Sequence, residues 1–180
     1  TTAHDLALLG YSVRVYESNP KAGGMLRYGI PDYRLPQEVL DQEIKRIEDL
    51  GVKIVTSTPV EDLDALREEY DAVHLAIGAQ KAPGLRIEGE DLQGVHSAID
   101  FLRLINSGER ASVGKKVVVV GGGNTAIDAA RCSLRLGAHV TIAYRRSRAE
   151  MPAYAFEVEE AEQEGVTLLL LNNPVRILGG

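Results

Sequence analysis

Hydrophobic positions along the chain switch repeatedly between a spacing of two and a spacing of three to four, which predicts strands and helices in turn. Leu6 and Leu9 lie three apart and are followed by Gly10, the signature of a helix end with a glycine cap. Residues 12–17 then alternate with period two and are dense in β-branched and aromatic side chains, predicting a strand that ends at Glu17. A Gly- and Pro-rich stretch, 22–36, separates this strand from an amphipathic pattern through Leu40, Ile44, Ile47 and Leu50 that stops at Gly51. That pattern predicts a helix with one apolar stripe. A short strand at 52–55, an acidic helix at 63–69 and a buried strand at 71–77, halted by Gly78, complete the first half.

Residues 79–96, with Pro83 and several glycines, read as a linker or a pair of turns, so a domain boundary is expected there, dividing the chain into 1–95 and 96–180. Beyond it the pattern predicts a helix at 97–105, strands at 116–120, 139–144 and 166–171, and helices ending at Leu136 and spanning 155–164. This is βαβαβ, half of a doubly wound sheet. The fold class is therefore α/β, with two Rossmann-like nucleotide-binding domains built on mostly parallel sheets. The first is incomplete, because its helix starts at residue 1 and is expected to have lost its beginning.

Composition narrows the function. With 44% hydrophobic and 26% charged residues in 180, the chain lies in the range of soluble globular proteins. Its net charge of -6 provides no positive field for a phosphate backbone, which excludes nucleic acid as the expected partner. The longest aliphatic runs, at 117–120 and 168–171, fall far short of the roughly 20 residues of a membrane span. A single cysteine, Cys132, offers no internal disulfide, no CxxC pair and no cysteine-ligated cluster. A reducing, cytoplasmic location is expected, with any redox chemistry carried by a bound cofactor.

The strongest motif follows the run of valines at 117–120: Gly121-Gly122-Gly123-Asn124-Thr125-Ala126 fits G-x-G-x-x-A between a strand and a helix. Gly121 permits the tight turn, Gly123 lets the backbone approach a pyrophosphate, and Ala126 keeps the helix close to the strand. The helix N-terminus then offers N–H groups and partial positive charge to the phosphates. A plain glycine turn in a parallel sheet is the alternative. The next strand ends in Tyr144-Arg145-Arg146-Ser147-Arg148, where an NAD site carries an acid for the ribose 2′-hydroxyl. An Arg pair suits the 2′-phosphate of NADP instead, the alternative being a solvated charge run. In the first half the matching position is Glu17, which suits a ribose without that phosphate; with Gly23-Gly24 close behind, it reads as an adenosine site.

Four segments in this order and spacing, 22–36 (AGGMLRYGIPDYRLP), 70–79 (YDAVHLAIGA), 121–126 and 144–152, resemble the small-subunit family of glutamate synthase. That family includes the NADP-linked ferredoxin oxidoreductase large subunit and the flavin half of dihydropyrimidine dehydrogenase. The resemblance implies an FAD domain carrying an inserted NAD(P)H domain. Hydride would pass from NADPH to FAD, and electrons onward to iron–sulfur clusters outside this chain, in a partner domain or subunit. It implies FAD contacts at Glu17, along Gly24 and Met25, at Arg34 and at Val60, and NADP contacts at Gly122, Gly123, Asn124, Thr125, Arg145 and Arg146. The family's first glycine turn would precede Thr1 and its last flavin motif would follow Gly180, so the chain is expected to be an internal piece of a longer flavoprotein, inactive alone. A non-catalytic nucleotide-binding remnant or regulatory module is the competing reading. A free-standing alcohol dehydrogenase is disfavoured by the lack of a Tyr-x-x-x-Lys pair on a helix.

No catalytic side chain and no metal ligand is expected. His4, His74, His96 and His139 lack metal-binding spacing. Hydride transfer between bound cofactors needs alignment rather than a protein acid or base. Cys132 reads as a packing thiol, and Glu157, Glu159, Glu160, Glu162 and Glu164 as a solvated helix face.

Overall fold

A computed structural model describes residues 1–109 and 111–179. The chain divides into two units, the first comprising Thr1–Arg27 and Asp32–Ala79, the second Tyr28–Pro31 and Gln80–Gly180.

In the first unit α1 (Thr2–Leu8) runs into a turn at Gly10, whose φ of +89° is left-handed and so suits glycine. Strand β1 (Arg14–Tyr16) pairs in parallel with β2 (Lys53–Val55), Val15 opposite Ile54. A parallel pair needs a crossover, and helices α2 (Gly24–Tyr28) and α3 (Gln37–Glu48) lie within it. Helix α3 occupies the predicted amphipathic stretch and buries Leu40. The five-residue α2 lies inside the Gly- and Pro-rich stretch, too short to leave a periodic signal. Helix α4 (Leu63–Glu69) is capped by Asp62, whose carboxylate accepts from the amides of Asp64 and Ala65.

The strand expected at 71–77 is not formed. The segment joins no ladder among the described residues, and Leu75 and Ile77 are 58% and 78% exposed. Its apolar run has strand composition, but a strand exists only where a neighbour supplies the hydrogen bonds, and the sheet of this unit contains β1 and β2 alone among the described residues.

The second unit is βαβαβ, as the pattern predicts. Helix α5 (Ala98–Asn106), capped by Ser97, precedes β3 (Lys116–Val120), α6 (Asn124–Arg135), β4 (His139–Tyr144), a single 3-10 turn (Arg148–Glu150), α7 (Ala155–Glu164) and β5 (Thr167–Leu170). The sheet is fully parallel in the order β3-β4-β5, with Val119 opposite Ile142 and Ile142 opposite Leu168. Ile127 and Ala130 of α6, Val140 and Ile142 of β4, and Val158 and Ala161 of α7 form the core, flanked by Ala138, Ala153 and Val166. Helix α5 packs on α6 and buries Leu102 completely. Its Asn106 donates to the carbonyl of Ile30 at 3.0 Å, and its Arg103 lies 5.6 Å over the Tyr28 ring. These contacts are why residues 28–31 belong with this unit.

The glutamates of α7 are not a uniformly solvated face. Glu157 is buried, Glu160 and Glu164 pair with Arg131 of α6 at 2.9 and 2.6 Å, and Glu164 also meets Arg135 at 2.8 Å. The reason is helix packing: α7 lies against α6, and the buried Arg131 guanidinium needs carboxylates that a sequence count assigns to solvent. Cys132, also on α6, is buried, and burial pushes its thiol up to about 11, so it is a neutral packing group at physiological pH. Among the described residues no helix is long and apolar enough to cross a membrane.

The Arg131 hydrogen bond holds the Glu164 carboxyl below its usual range. Its stabilising contribution is therefore present above the ordinary carboxylate pKa and is lost as pH falls through the lower folded value. In Glu164→Gln, Arg131 retains Glu160, so the expected loss at pH 7 is about 1–3 kcal/mol in a denaturant titration. The difference from the parent should shrink steadily in acid; a difference independent of pH would contradict this assignment.

Candidate functional site

At the end of β3 the chain turns sharply. Gly121 has a φ of +142°, and its amide donates to the carbonyl of Ala143 at 3.0 Å. A methyl added there would come 3.3 Å from the Ala126 Cβ, so the first glycine and the small residue of G-x-G-x-x-A act as one steric pair that draws α6 onto the strand. Gly122 is tighter. A Cβ on it would fall 2.6 Å from the Tyr144 ring, which is itself buried at the end of β4 with its hydroxyl donating to the carbonyl of Glu150 at 2.8 Å.

Gly123 differs from both. Its φ of -92° is open to any residue, and the nearest atom to an added Cβ is the Cγ of Pro152, 3.9 Å away. The absent side chain therefore leaves open space rather than relieving a clash inside the protein. Gly123 is also the N-cap of α6 and supplies no side chain to satisfy the helix's first amides. Open space over uncapped amides, at the positive end of a twelve-residue helix, is chemistry suited to an anion.

A strap closes one side of this space. From the 3-10 turn the chain runs back over the glycine turn, where the Ala153 amide donates to the Gly122 carbonyl at 3.1 Å and the Tyr154 amide to Asn124 Oδ1 at 3.0 Å. The start of the strap is fixed by Ser147 and Glu150, each side chain bonded to the other's end of the turn. That bonding holds the Glu150 carboxyl below its usual range.

Arg145 and Arg146 leave β4 directly after Tyr144. Their backbone is set by the residues that follow β5, since the amide of Leu171 donates to the Arg146 carbonyl at 3.2 Å and that of Asn172 to the Tyr144 carbonyl at 3.0 Å. Both side chains are exposed, and neither forms an ion pair among the described residues. Arg148, by contrast, is bound to Glu162 at 2.6 Å. The structure thus brings Gly121, Gly122, Gly123, Asn124, Thr125, Arg145 and Arg146 to one end of the parallel sheet, the carboxyl ends of β3 and β4, where nucleotides bind in open α/β sheets.

Glu17, Gly24, Met25, Arg34 and Val60 all belong to the first unit. Glu17 directly follows β1, and its Oε1 accepts from the backbone and side-chain nitrogens of Asn19 at 2.8 and 2.7 Å. Gly24 has left-handed backbone, φ +51°, with nothing near an added Cβ; Met25 and Arg34 are half-buried, and Val60 is 41% exposed. Sequence reasoning missed what fixes this turn. Arg27, 4% exposed, donates to the Ala22 carbonyl, to Gln37 at 2.7 Å and to Asp41, tying the turn to α3. Gly23, at φ +128°, has no room for a Cβ, which would lie 2.9 Å from Leu40. In the second unit the missed residues are Tyr144, Pro152 and Tyr154. The Met-Pro-Ala segment after the arginines was the available signal, but only the folded chain shows which turn it crosses.

A family model for pyridine nucleotide-disulphide oxidoreductases matches residues 1–179. The beta subunit of NADP(+)-dependent formate dehydrogenase from Moorella thermoacetica is 46% identical over 185 residues, covering 99% of this chain and 26% of that protein. The small chain of NADPH glutamate synthase from Escherichia coli K12 is 37% identical, covering 93% of this chain and 39% of that protein. The chain thus spans less than half the length of these curated relatives. Among solved structures, a 2-naphthoyl-CoA reductase complex superposes with a TM-score of 0.76 at 22% identity, over 94% of this chain and 26% of that one, a likeness of fold.

The two inner glycines predict opposite behaviour on substitution. Gly122→Ala should lower the unfolding free energy by about 1–3 kcal/mol, because the clash is with a buried ring whose hydroxyl is anchored to the Glu150 carbonyl. Gly123→Ser should leave stability within about 0.5 kcal/mol, since serine is a good N-cap. Thermal and denaturant melts of the two variants check the contrast, which fails if they are equally destabilised.

Proposed function

Since the chain belongs to the pyridine nucleotide-disulphide oxidoreductase family, we propose that it is the nucleotide-binding part of an enzyme that moves hydride between NADPH and FAD. Members of this family bind FAD and NAD(P)H. The observation that carries the NADPH assignment is the pairing of a helix start at Gly123 that is open and has no side-chain cap with two exposed arginines at the end of β4 that form no ion pair among the described residues. The residues fit the group. The amides at the start of α6 would hold the pyrophosphate, Gly123 would admit it, and Arg145 and Arg146 would take the 2′-phosphate. Arg148, already neutralised by Glu162, contributes little to that charge.

In the first unit Glu17 would accept from the adenosine ribose of FAD. Its Oε1 is engaged by Asn19, which fixes the carboxylate in one orientation. Gly24, Met25, Arg34 and Val60 would line the same cofactor. The two cofactors, once bound, exchange a hydride, and the protein's part is to align them and exclude water. A partner subunit or domain bearing iron–sulfur or other electron-accepting groups belongs to this proposal, supported by relatives named as a beta subunit and a small chain. So does a cytoplasmic location, supported by the lone, buried thiol.

Two calorimetric experiments test the reading. Gly123→Val should abolish NADPH binding in a folded chain, because a β-branched side chain would fill the space the pyrophosphate needs. Equal affinity in variant and parent would make the turn purely structural. Replacing Arg145 and Arg146 by Ala should weaken NADPH by roughly ten- to a hundredfold for each charge-assisted bond lost, while leaving NADH nearly unchanged. Equal losses for both nucleotides would remove the NADP assignment.

A further inference from the structure

We propose that Asn124 is a positioning residue, whose side-chain carbonyl holds the strap against the glycine turn and is thereby kept away from the amides that receive the nucleotide. The inference rests on the nicotinamide-nucleotide reading of the turn and concerns what the motif's fourth residue does there.

Two consecutive amides of the strap, those of Ala153 and Tyr154, donate to two acceptors on the turn, the Gly122 carbonyl and Asn124 Oδ1. Pro152, just before them, has no N–H to donate and instead places its Cγ 3.9 Å from where a Gly123 Cβ would stand. The clasp therefore sets the wall of the open space over Gly123. A second consequence follows from the chemistry of the amide. Asn124 is the first residue of α6, and asparagine side chains at such positions accept hydrogen bonds from nearby backbone amides. Here the Tyr154 amide occupies that oxygen at 3.0 Å, so the first amides of α6 keep no capping side chain.

The role differs from that of Arg145 and Arg146, whose backbone is fixed independently by the amides of Leu171 and Asn172. Loosening the strap should therefore weaken binding to the pyrophosphate, which NADPH and NADH share, and leave the preference between them intact. The role also asks only for an acceptor at position 124, a requirement aspartate meets.

The experiment uses the whole chain, with NADPH and NADH affinities from calorimetry and amide exchange at Tyr154 from NMR or mass spectrometry. Asn124→Ala should weaken both nucleotides alike, by roughly three- to tenfold, the scale of one exposed hydrogen bond. It should also accelerate exchange of the Tyr154 amide. Asn124→Asp, compared with the parent at raised ionic strength to screen its added charge, should bind within about threefold of the parent and keep that amide protected. Tyr154→Pro removes the donor at a φ of -60° that proline accepts. It should reproduce the loss, and adding Asn124→Ala to it should weaken binding no further. The proposal is overturned if Asn124→Asp loses as much as Asn124→Ala, if Asn124→Ala binds like the parent, if it loses NADPH alone, or if the double variant shows additive losses. A parent chain that binds neither nucleotide would overturn the underlying reading as well; a parent that binds while the variants depart from this pattern would overturn only the role of Asn124.

Discussion

The geometry of the second unit depends on one steric constraint: the backbone at Gly122 lies on the Tyr144 ring, with no room for a single carbon between them. Because Tyr144 ends β4 and Gly122 follows β3, this contact fixes how the ends of two neighbouring parallel strands meet. The ring's hydroxyl donates to the carbonyl of Glu150, so the strap takes its position from the same tyrosine. Gly121 and Ala126 then bring α6 in, and the open face at Gly123 is what remains once these contacts are made. Three adjacent glycines thus have three separate reasons: backbone conformation at Gly121, the ring beneath Gly122, and space left over Gly123.

Charge in this unit is divided in a way that supports the same geometry. Arg131 is buried, and a buried guanidinium is tolerable only with carboxylates and hydrogen bonds around it; Glu160 and Glu164 of α7 supply them. That network locks α7 onto α6. Because Tyr154, the residue bonded to Asn124, is the N-cap of α7, the position of the helix and that of the strap are mechanically one. Isolated surface ion pairs contribute little, but a pair that sets the docking of a helix carries the placement of everything attached to it.

Much of this was legible in sequence, and the parts that were not share a physical cause. The helices at 63–69 and 155–164 and the strands at 116–120 and 139–144 coincide with the predicted segments because local periodicity, caps and β-branched runs are properties of neighbours in the chain. The glycine turn between β3 and α6 was legible for the same reason. The strand expected at 71–77 fails because its composition says nothing about a partner to bond with. The acidic stripe of α7 was misread because charge alone does not say which face meets Arg131. Arg27, whose three acceptors lie at Ala22, Gln37 and Asp41, left no pattern at all: its burial comes from residues separated along the chain.

In the proposed function, fold and binding draw on one short basic run after β4 without competing. Arg148 is spent on Glu162, a residue of α7, and so helps hold the 3-10 turn against that helix. Arg145 and Arg146 sit on a backbone pinned by the residues that follow β5, while their side chains are exposed and form no ion pair among the described residues. A guanidinium already bonded to a carboxylate would have to give up that partner before meeting a phosphate, so its net contribution would be small. A free guanidinium on a fixed backbone has only its rotamers to lose. Charge number in the sequence is the same for all three; what separates Arg148 from Arg145 and Arg146 in the fold is its ion pair with Glu162 of α7.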